Sequence, residues 1–177
     1  MINEIDEYGV VSFMRPVLRT KSADNDSLLE SLISCITALN CASHFGNHLG
    51  RLQTEQATIV RSFQYALRNA LAHALPAMTW KLEHLPTPSV KDSIDIFGTD
   101  GRTHVVIELD KHRADQVTKK FVSRSAMFER DKIHYISICY PGTDRMNMTE
   151  CIKYFRYCAS LSARLGNVYA GFIIQPA

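Results

Sequence analysis

The chain has 177 residues, which fits a single domain, and 46% of them are hydrophobic, enough to build a core. Its formal net charge of +2 is too small to mark a nucleic-acid-binding protein by itself. No apolar run reaches the roughly 18 residues of a membrane span, and the acidic N-terminal segment lacks the basic and apolar parts of a secretory signal.

Five cysteines are present, and no two of them form a CxxC pair. An odd number without close pairs argues against a disulfide framework and against a zinc ribbon. The sequence therefore predicts reduced, mostly buried thiols in a cytoplasmic protein.

The N-terminal part of the chain is predicted to be a helical extension. Residues 1–25 lack a regular pattern and are expected to be irregular. Apolar residues then recur at helical spacing from about Ser27, with Asp24 or Asn25 as the N-cap. This helix is expected to end before Gly46.

A second, longer helix is predicted from about Glu55 to Ala74. Thr54 is its expected N-cap, apolar residues repeat with a period of 3.6 over 59–71, and Pro76 stops it. Glu55 has two interpretations. It either interacts with the helix dipole at the N-terminus or points its carboxylate at a site.

Strand patterns dominate the remainder of the chain. Three short strands are expected first, then helix and strand alternate twice, which predicts an α/β protein with a mixed sheet flanked by helices. The predicted ranges are 80–84, 93–97 and 104–109 for the three strands, then 112–130 (helix), 135–140 (strand), 149–165 (helix) and 167–174 (strand).

Acidic side chains mark the most informative stretch. Asp95 lies on one predicted strand, and Glu108 and Asp110 lie two residues apart on the next, so the latter two share a face. A tight turn between the strands can bring all three together. Like charges at such distances are unfavourable without a cation, and Mg²⁺ prefers carboxylate oxygens. The alternatives are an ordinary strand-end carboxylate for Asp95 and a helix N-cap for Asp110.

Basic residues follow directly. Five of the fourteen residues in 111–124 are lysine or arginine, against the single acid Asp115. Such a run either neutralises nucleic-acid phosphates or forms a solvated helix face. The candidate nucleic-acid contacts are Arg113, Gln116, Lys120 and Arg124.

This pattern resembles the PD-(D/E)xK nuclease superfamily, whose restriction-endonuclease-like core is a helix, three strands, a helix and a strand. Residues 54–140 supply that order. Asp95 matches the family's first acid, although Ile94 replaces the preceding proline, and Glu108 matches the second. Glu55 could match the glutamate that some members add from the first core helix.

The resemblance implies hydrolysis of DNA phosphodiester bonds with Mg²⁺ or Mn²⁺ held by Asp95 and Glu108. It adds a homodimer as a candidate assembly, since many such nucleases cut duplexes as dimers. It also divides the single domain, residues 1–177, into an N-terminal helical extension (1–53), the core (54–140) and a C-terminal helix and strand (141–177).

The lysine of the motif is displaced. It belongs two residues after Glu108, where this chain has Asp110. Some family members move the lysine to the following helix, which makes Lys119 or Lys120 the candidate. Lys111 is adjacent in sequence, but strand alternation points it away unless the strand ends first.

Three functions remain open on the sequence. A metal-dependent nuclease is favoured by the acidic residues followed by a basic helix. A catalytically inactive module that binds nucleic acid or protein is favoured by the missing lysine. A structural or regulatory protein is compatible with the small net charge.

Overall fold

The computed structural model describes residues 13–86, 92–111, 113–128, 131–142 and 147–176. In these segments the chain forms one six-stranded mixed open sheet and five helices. The elements are β1 (Met14–Lys21), α1 (Ser27–Thr37), α2 (Ala42–Phe45), α3 (Gln53–Ala74), β2 (Thr79–His84), β3 (Ile94–Thr99), β4 (His104–Lys111), α4 (Ala114–Ser125), β5 (Ile133–Tyr140), α5 (Met148–Arg164) and β6 (Val168–Pro176).

The sheet has the order β1-β6-β5-β4-β3-β2. Strands β2, β3 and β4 form an antiparallel meander, whereas β4, β5 and β6 are parallel and are joined by crossovers through α4 and α5. Strand β1 closes the far edge antiparallel to β6. The predicted α/β class and mixed sheet are confirmed.

Helices cover both faces of the sheet. One apolar cluster joins α1, α2 and α3 to one face, and a second joins α4 and α5 to the other. Strand β4 shows the alternation directly, because Val105 and Ile107 belong to the first cluster and Val106 to the second. Every residue of β5 is buried, as expected for a parallel strand covered on both sides.

The N-terminal extension differs from its prediction. Part of the segment expected to be irregular, Met14–Lys21, is an edge strand paired with β6. Pro16 is acceptable there because an edge strand leaves backbone N–H groups unpaired. Residues 1–12, also expected to be irregular, lie outside the described part of the chain.

The first predicted helix is two helices. α1 ends at Thr37, and the one-turn helix α2 follows. The N-cap of α1 is Asp26, and not Asp24 or Asn25 as predicted; its side chain accepts a hydrogen bond from the Leu29 amide at 3.0 Å.

The other elements match their predictions within a few residues. The larger differences are in α3 and α4. α3 begins at Gln53, so Thr54 lies inside the helix and Leu52 is the N-cap. α4 is shorter at both ends than the predicted 112–130. None of the described helices has both the length and the apolarity that crossing a membrane requires.

Candidate active site

Strands β3 and β4 separate at Asp95. Their regular pairing runs from Thr99 opposite His104 to Ile96 opposite Ile107 and then stops. Beyond that point the Asp95 side chain provides the hydrogen-bond acceptor, because its Oδ2 accepts the Leu109 backbone N–H at 2.7 Å. The carboxylate replaces a backbone acceptor, so it is fixed in the gap between the two strands.

Glu108 and Asp110 lie beside Asp95 on β4. Two residues apart on the strand, they project toward α4, the face that also carries Val106. Both are buried. The N-cap alternative for Asp110 is wrong, because Asp110 is inside β4 and the N-cap of α4 is Arg113.

Lys120 supplies the cation of this cluster from α4. Its Nζ lies 3.2 Å from Asp95 Oδ2, 2.9 Å from Glu108 Oε2 and 3.1 Å from Asp110 Oδ1. It also donates to the Leu109 carbonyl oxygen at 3.2 Å. One ammonium group therefore contacts all three predicted acids.

Arg124, one helical turn after Lys120, adds a second cation. Its Nε donates to Glu108 Oε1 at 3.0 Å, and its Nη1 lies 3.0 Å from Asp92 Oδ2. Its Nη2 donates to the Ser93 carbonyl oxygen at 3.0 Å. The guanidinium thus ties β4 to the segment that enters β3.

Two residues that the sequence analysis did not select complete the surroundings of Asp95. Gln64 of α3 donates through Nε2 to Asp95 Oδ1 at 3.2 Å and to Glu83 Oε1 at 3.1 Å. Gln64 is a polar residue in line with Val60 and Leu67 on the buried face of α3, which is the signal that could have identified it. Glu83 looks like an ordinary outward-facing residue of a strand, and nothing in the sequence distinguishes it.

The charged groups of the cluster shift one another's pKa values. Burial and the neighbouring Asp95 carboxylate raise the pKa of Glu108 to about 8, against the opposing effect of Lys120. Burial also raises the pKa of Asp110. Burial alone would lower the pKa of Lys120, but the three carboxylates outweigh it and raise that pKa well above its usual range. Lys120 is therefore a permanent cation, whereas a pKa of about 8 leaves Glu108 mostly protonated at neutral pH.

The donor chemistry of the cluster fits a divalent cation. Carboxylate oxygens are the ligands that Mg²⁺ and Mn²⁺ prefer. Asp110 Oδ2 is buried and accepts no hydrogen bond within the described segments. In those segments no group of three or more His, Cys, Asp or Glu side chains is placed so that it could hold a metal ion, and the shared neighbour of the three acids is Lys120.

A cleft opens beside Asp95 on the α3 side of the sheet. Its volume is about 560 Å³. As strand alternation predicts, Lys111 faces this side, away from Asp110, and its Nζ donates to Gln56 Oε1 at 3.0 Å. The polar, charged and aromatic residues of its wall are Gln53, Gln56, Arg61, Gln64, Glu83, Asp95, Lys111 and Tyr140.

Other predicted site residues lie elsewhere. Glu55 is exposed, and its Oε2 accepts the Leu52 backbone N–H at 3.0 Å, so the structure shows a helix-capping role. Lys119 is exposed beside the buried contacts of Lys120.

The predicted nucleic-acid contacts divide into two pairs. Arg113 and Gln116 both bind Asp115, at 3.0 and 3.1 Å, at the exposed start of α4. Lys120 and Arg124 instead bind the buried carboxylates, so the structure places them inside the cluster and not on an open basic face.

Comparisons with protein-family models, with curated proteins and with solved structures find no match to this chain. The features of the molecule that bear on function are therefore the carboxylate cluster, the charges around it and the cleft beside it. Each of these consists of described residues.

Proposed function

We propose that the protein is a divalent-metal-dependent phosphodiesterase acting on DNA, with a restriction-endonuclease-like core. From α3 to β5 the chain forms a helix, three meandering strands, a helix and a parallel strand, in the sheet order β2-β3-β4-β5. This is the element order expected for the PD-(D/E)xK superfamily, and it supports the proposal.

The observation that carries the proposal is the position of Lys120. The motif lysine is missing from its usual place after Glu108, yet Lys120 Nζ contacts Asp95, Glu108 and Asp110 together. In the proposed site these contacts would supply the two acids and the lysine of such nucleases, with the lysine coming from α4.

Each residue of the cluster then has a role. Asp95 and Glu108 would hold the metal, and Asp110 would assist through Oδ2, which accepts no hydrogen bond from the described residues. A divalent cation bound there supplies Lewis-acid activation of the phosphodiester. Lys120 neutralises the charge that develops on the phosphate oxygens, and Arg124 keeps Glu108 oriented.

The cleft supplies the approach for the nucleic acid. Lys111 and Arg61 give its wall positive charge that can contact phosphates, and Tyr140 offers an aromatic ring. Asp95 also lines this cleft, whereas Glu108, Asp110 and Lys120 do not, so a phosphate entering it would approach the cluster at Asp95.

Plasmid nicking with two neighbouring lysines tests this function. Wild type should nick supercoiled DNA in Mg²⁺ or Mn²⁺ and stop on chelation. Removing a residue that stabilises transition-state charge costs about 10²- to 10³-fold in rate, so Lys120→Met and Asp95→Asn should lose at least about 100-fold. Lys119→Met, the matched control, should retain activity because Lys119 is exposed beside the cluster. Wild-type activity in Lys120→Met would reject this site.

A second candidate is a catalytically inactive nucleic-acid-binding module. The contact of Lys120 with all three acids favours it as well, since a built-in cation can balance the cluster without metal. This candidate predicts salt-sensitive DNA binding that Lys111→Met weakens, with no cleavage in any divalent ion. Nicking by purified wild type would exclude it.

A further inference from the structure

Glu83 and Asp95 lie opposite each other on neighbouring antiparallel strands. The β2–β3 register places them face to face, because the residues on either side of them pair with each other, while they themselves leave the regular ladder. Two carboxylates in this relation repel each other. Glu83 also has a φ of 47°, in the left-handed region that a non-glycine residue adopts only where its surroundings fix it.

Gln64 bridges the two carboxylates and offsets their repulsion. Its Nε2 donates to Glu83 Oε1 at 3.1 Å and to Asp95 Oδ1 at 3.2 Å. An amide NH₂ has two hydrogens, and both acceptors are carboxylates, so the nitrogen end of the amide must face them. Gln64 is only 5% exposed, so the donor of the bridge is buried although its acceptor Glu83 is exposed.

The remaining contacts hold both ends of the bridge. Ser93 Oγ donates to Glu83 Oε2 at 2.8 Å, and the Ser93 carbonyl oxygen accepts from Arg124. With Asp95 Oδ1 engaged by Gln64, its Oδ2 is left for the Leu109 amide and Lys120. The rotation of the Asp95 carboxylate is thereby fixed.

We propose that Gln64 and Glu83 are positioning residues for Asp95, which hold one carboxylate oxygen on the α3 side so that the other faces Lys120, where Asp95 would hold a metal. The part of this inference that concerns the reaction rests on the proposed function. The bridge itself is a property of the folded chain, and it can be measured separately.

Hydrogen exchange at the Leu109 amide measures the bridge without any activity, because that N–H donates to Asp95 Oδ2. Gln64→Leu removes both donors at similar volume, and it should lower the protection of this amide at least about tenfold relative to other β4 amides. Asn69→Leu, an exposed site on the same helix, is the control and should leave it unchanged.

Glu83 provides a second pair of variants. Because Glu83 is exposed, its replacement leaves the packing of the core unchanged. Glu83→Ala should lower the protection of Leu109, whereas Glu83→Gln should retain it, because a glutamine can accept from Gln64 and donate to Ser93 Oγ. This pair decides the question if Gln64→Leu does not fold.

The functional consequence is read from Mn²⁺ titration and cleavage. Loss of a residue that orients a metal ligand costs about 10- to 100-fold in metal affinity or activity. We expect that loss in Gln64→Leu and Glu83→Ala, in kcat more than in KM, and its absence in Glu83→Gln, which keeps the bridge.

Failure of the proposed function and failure of the proposed bridge give different experimental results. A wild type that neither binds Mn²⁺ nor cuts DNA, but whose Leu109 protection falls in the variants, would keep the bridge and reject the proposed function. Unchanged Leu109 protection in folded Gln64→Leu, or in Glu83→Ala, would overturn the bridge. A wild-type Mn²⁺ affinity and kcat in those variants would overturn its role in the reaction.

Discussion

The imidazole of His48 is buried between aromatic rings. Its ring packs edge-on against Phe45 and Tyr140, with centroid distances of 5.4 and 5.5 Å. Both ring nitrogens are buried, and neither has a hydrogen-bond partner in the described part of the chain. Burial first, and then the charges of Lys111 and Arg51, lower the pKa of His48.

The lowered pKa of His48 makes folding sensitive to acid. The ordinary pKa of histidine is about 6.5. As pH falls below that value, the unfolded chain binds a proton that the folded chain does not, so stability is lost. His48→Phe keeps an aromatic ring and removes the unpaired nitrogens. It should raise the free energy of unfolding by about 1–3 kcal/mol, the cost of an unsatisfied buried group, and more at pH 5.5 than at pH 8.

Urea unfolding at the two pH values measures this effect. His73→Phe is the control, because His73 is exposed on α3 and should give no gain that depends on pH. Equal stabilisation by His48→Phe at pH 5.5 and pH 8 would show that protonation of His48 does not contribute.

The convergence of the three acids was predictable from the sequence, but the residues that contact them were predictable only in part. Strand alternation and the tight turn indicate that Asp95, Glu108 and Asp110 converge. Which of Lys119 and Lys120 reaches the acids depends on the rotation of α4 about its axis. Lys120 lies three residues after the buried Val117, on the inward-facing side of the helix. The contacts of Gln64 on α3 and Glu83 on β2 depend on how these two elements pack. Local sequence patterns carry no information about that packing.

Helix α5 packs against β6 through a glycine. Gly171 lies in the strand with no side chain, and the ring of Phe155 occupies the space above it. A Cβ at position 171 would lie 2.5 Å from Phe155 Cδ2, closer than van der Waals contact permits. Both residues are fully buried, so neither the helix nor the ring can move freely.

Gly171→Ala should therefore destabilise the protein. Overpacking of a filled core costs about 1–3 kcal/mol, and thermal or urea unfolding will measure the loss. The double variant Gly171→Ala/Phe155→Leu frees space for the new methyl group, so it should be less destabilised than the sum of its two single variants. Additive single effects would show that the contact between helix and strand does not limit the packing.

The helices and strands can be predicted from local sequence patterns, but the order of the strands in the sheet cannot. Helix and strand periodicities gave every element from α3 onward, because each pattern is contained in a short window. β1 was missed because its partner β6 lies about 150 residues further along the chain, and Pro16 within it lowers the strand signal. That pairing also makes β6 an interior strand between β1 and β5.

The interior position of β6 predicts unequal effects of two truncations. A chain ending at residue 142 keeps the whole predicted core, 54–140, but it loses β6 and α5, which supply much of the second apolar cluster, including Phe155, Tyr169 and Ile173. It should not unfold cooperatively. Among the described residues, a chain beginning at residue 24 loses mainly the edge strand β1, most of which is half-buried or exposed, and it should still fold with a lower melting temperature.

Circular dichroism melts of both truncated chains, beside the full-length chain, compare these outcomes. A cooperative transition in the chain that ends at residue 142 would mean that α3 to β5 form an independent folding unit. The C-terminal helix and strand would then be an addition to that unit, although in the structure they bury one face of β5 and pair with its edge.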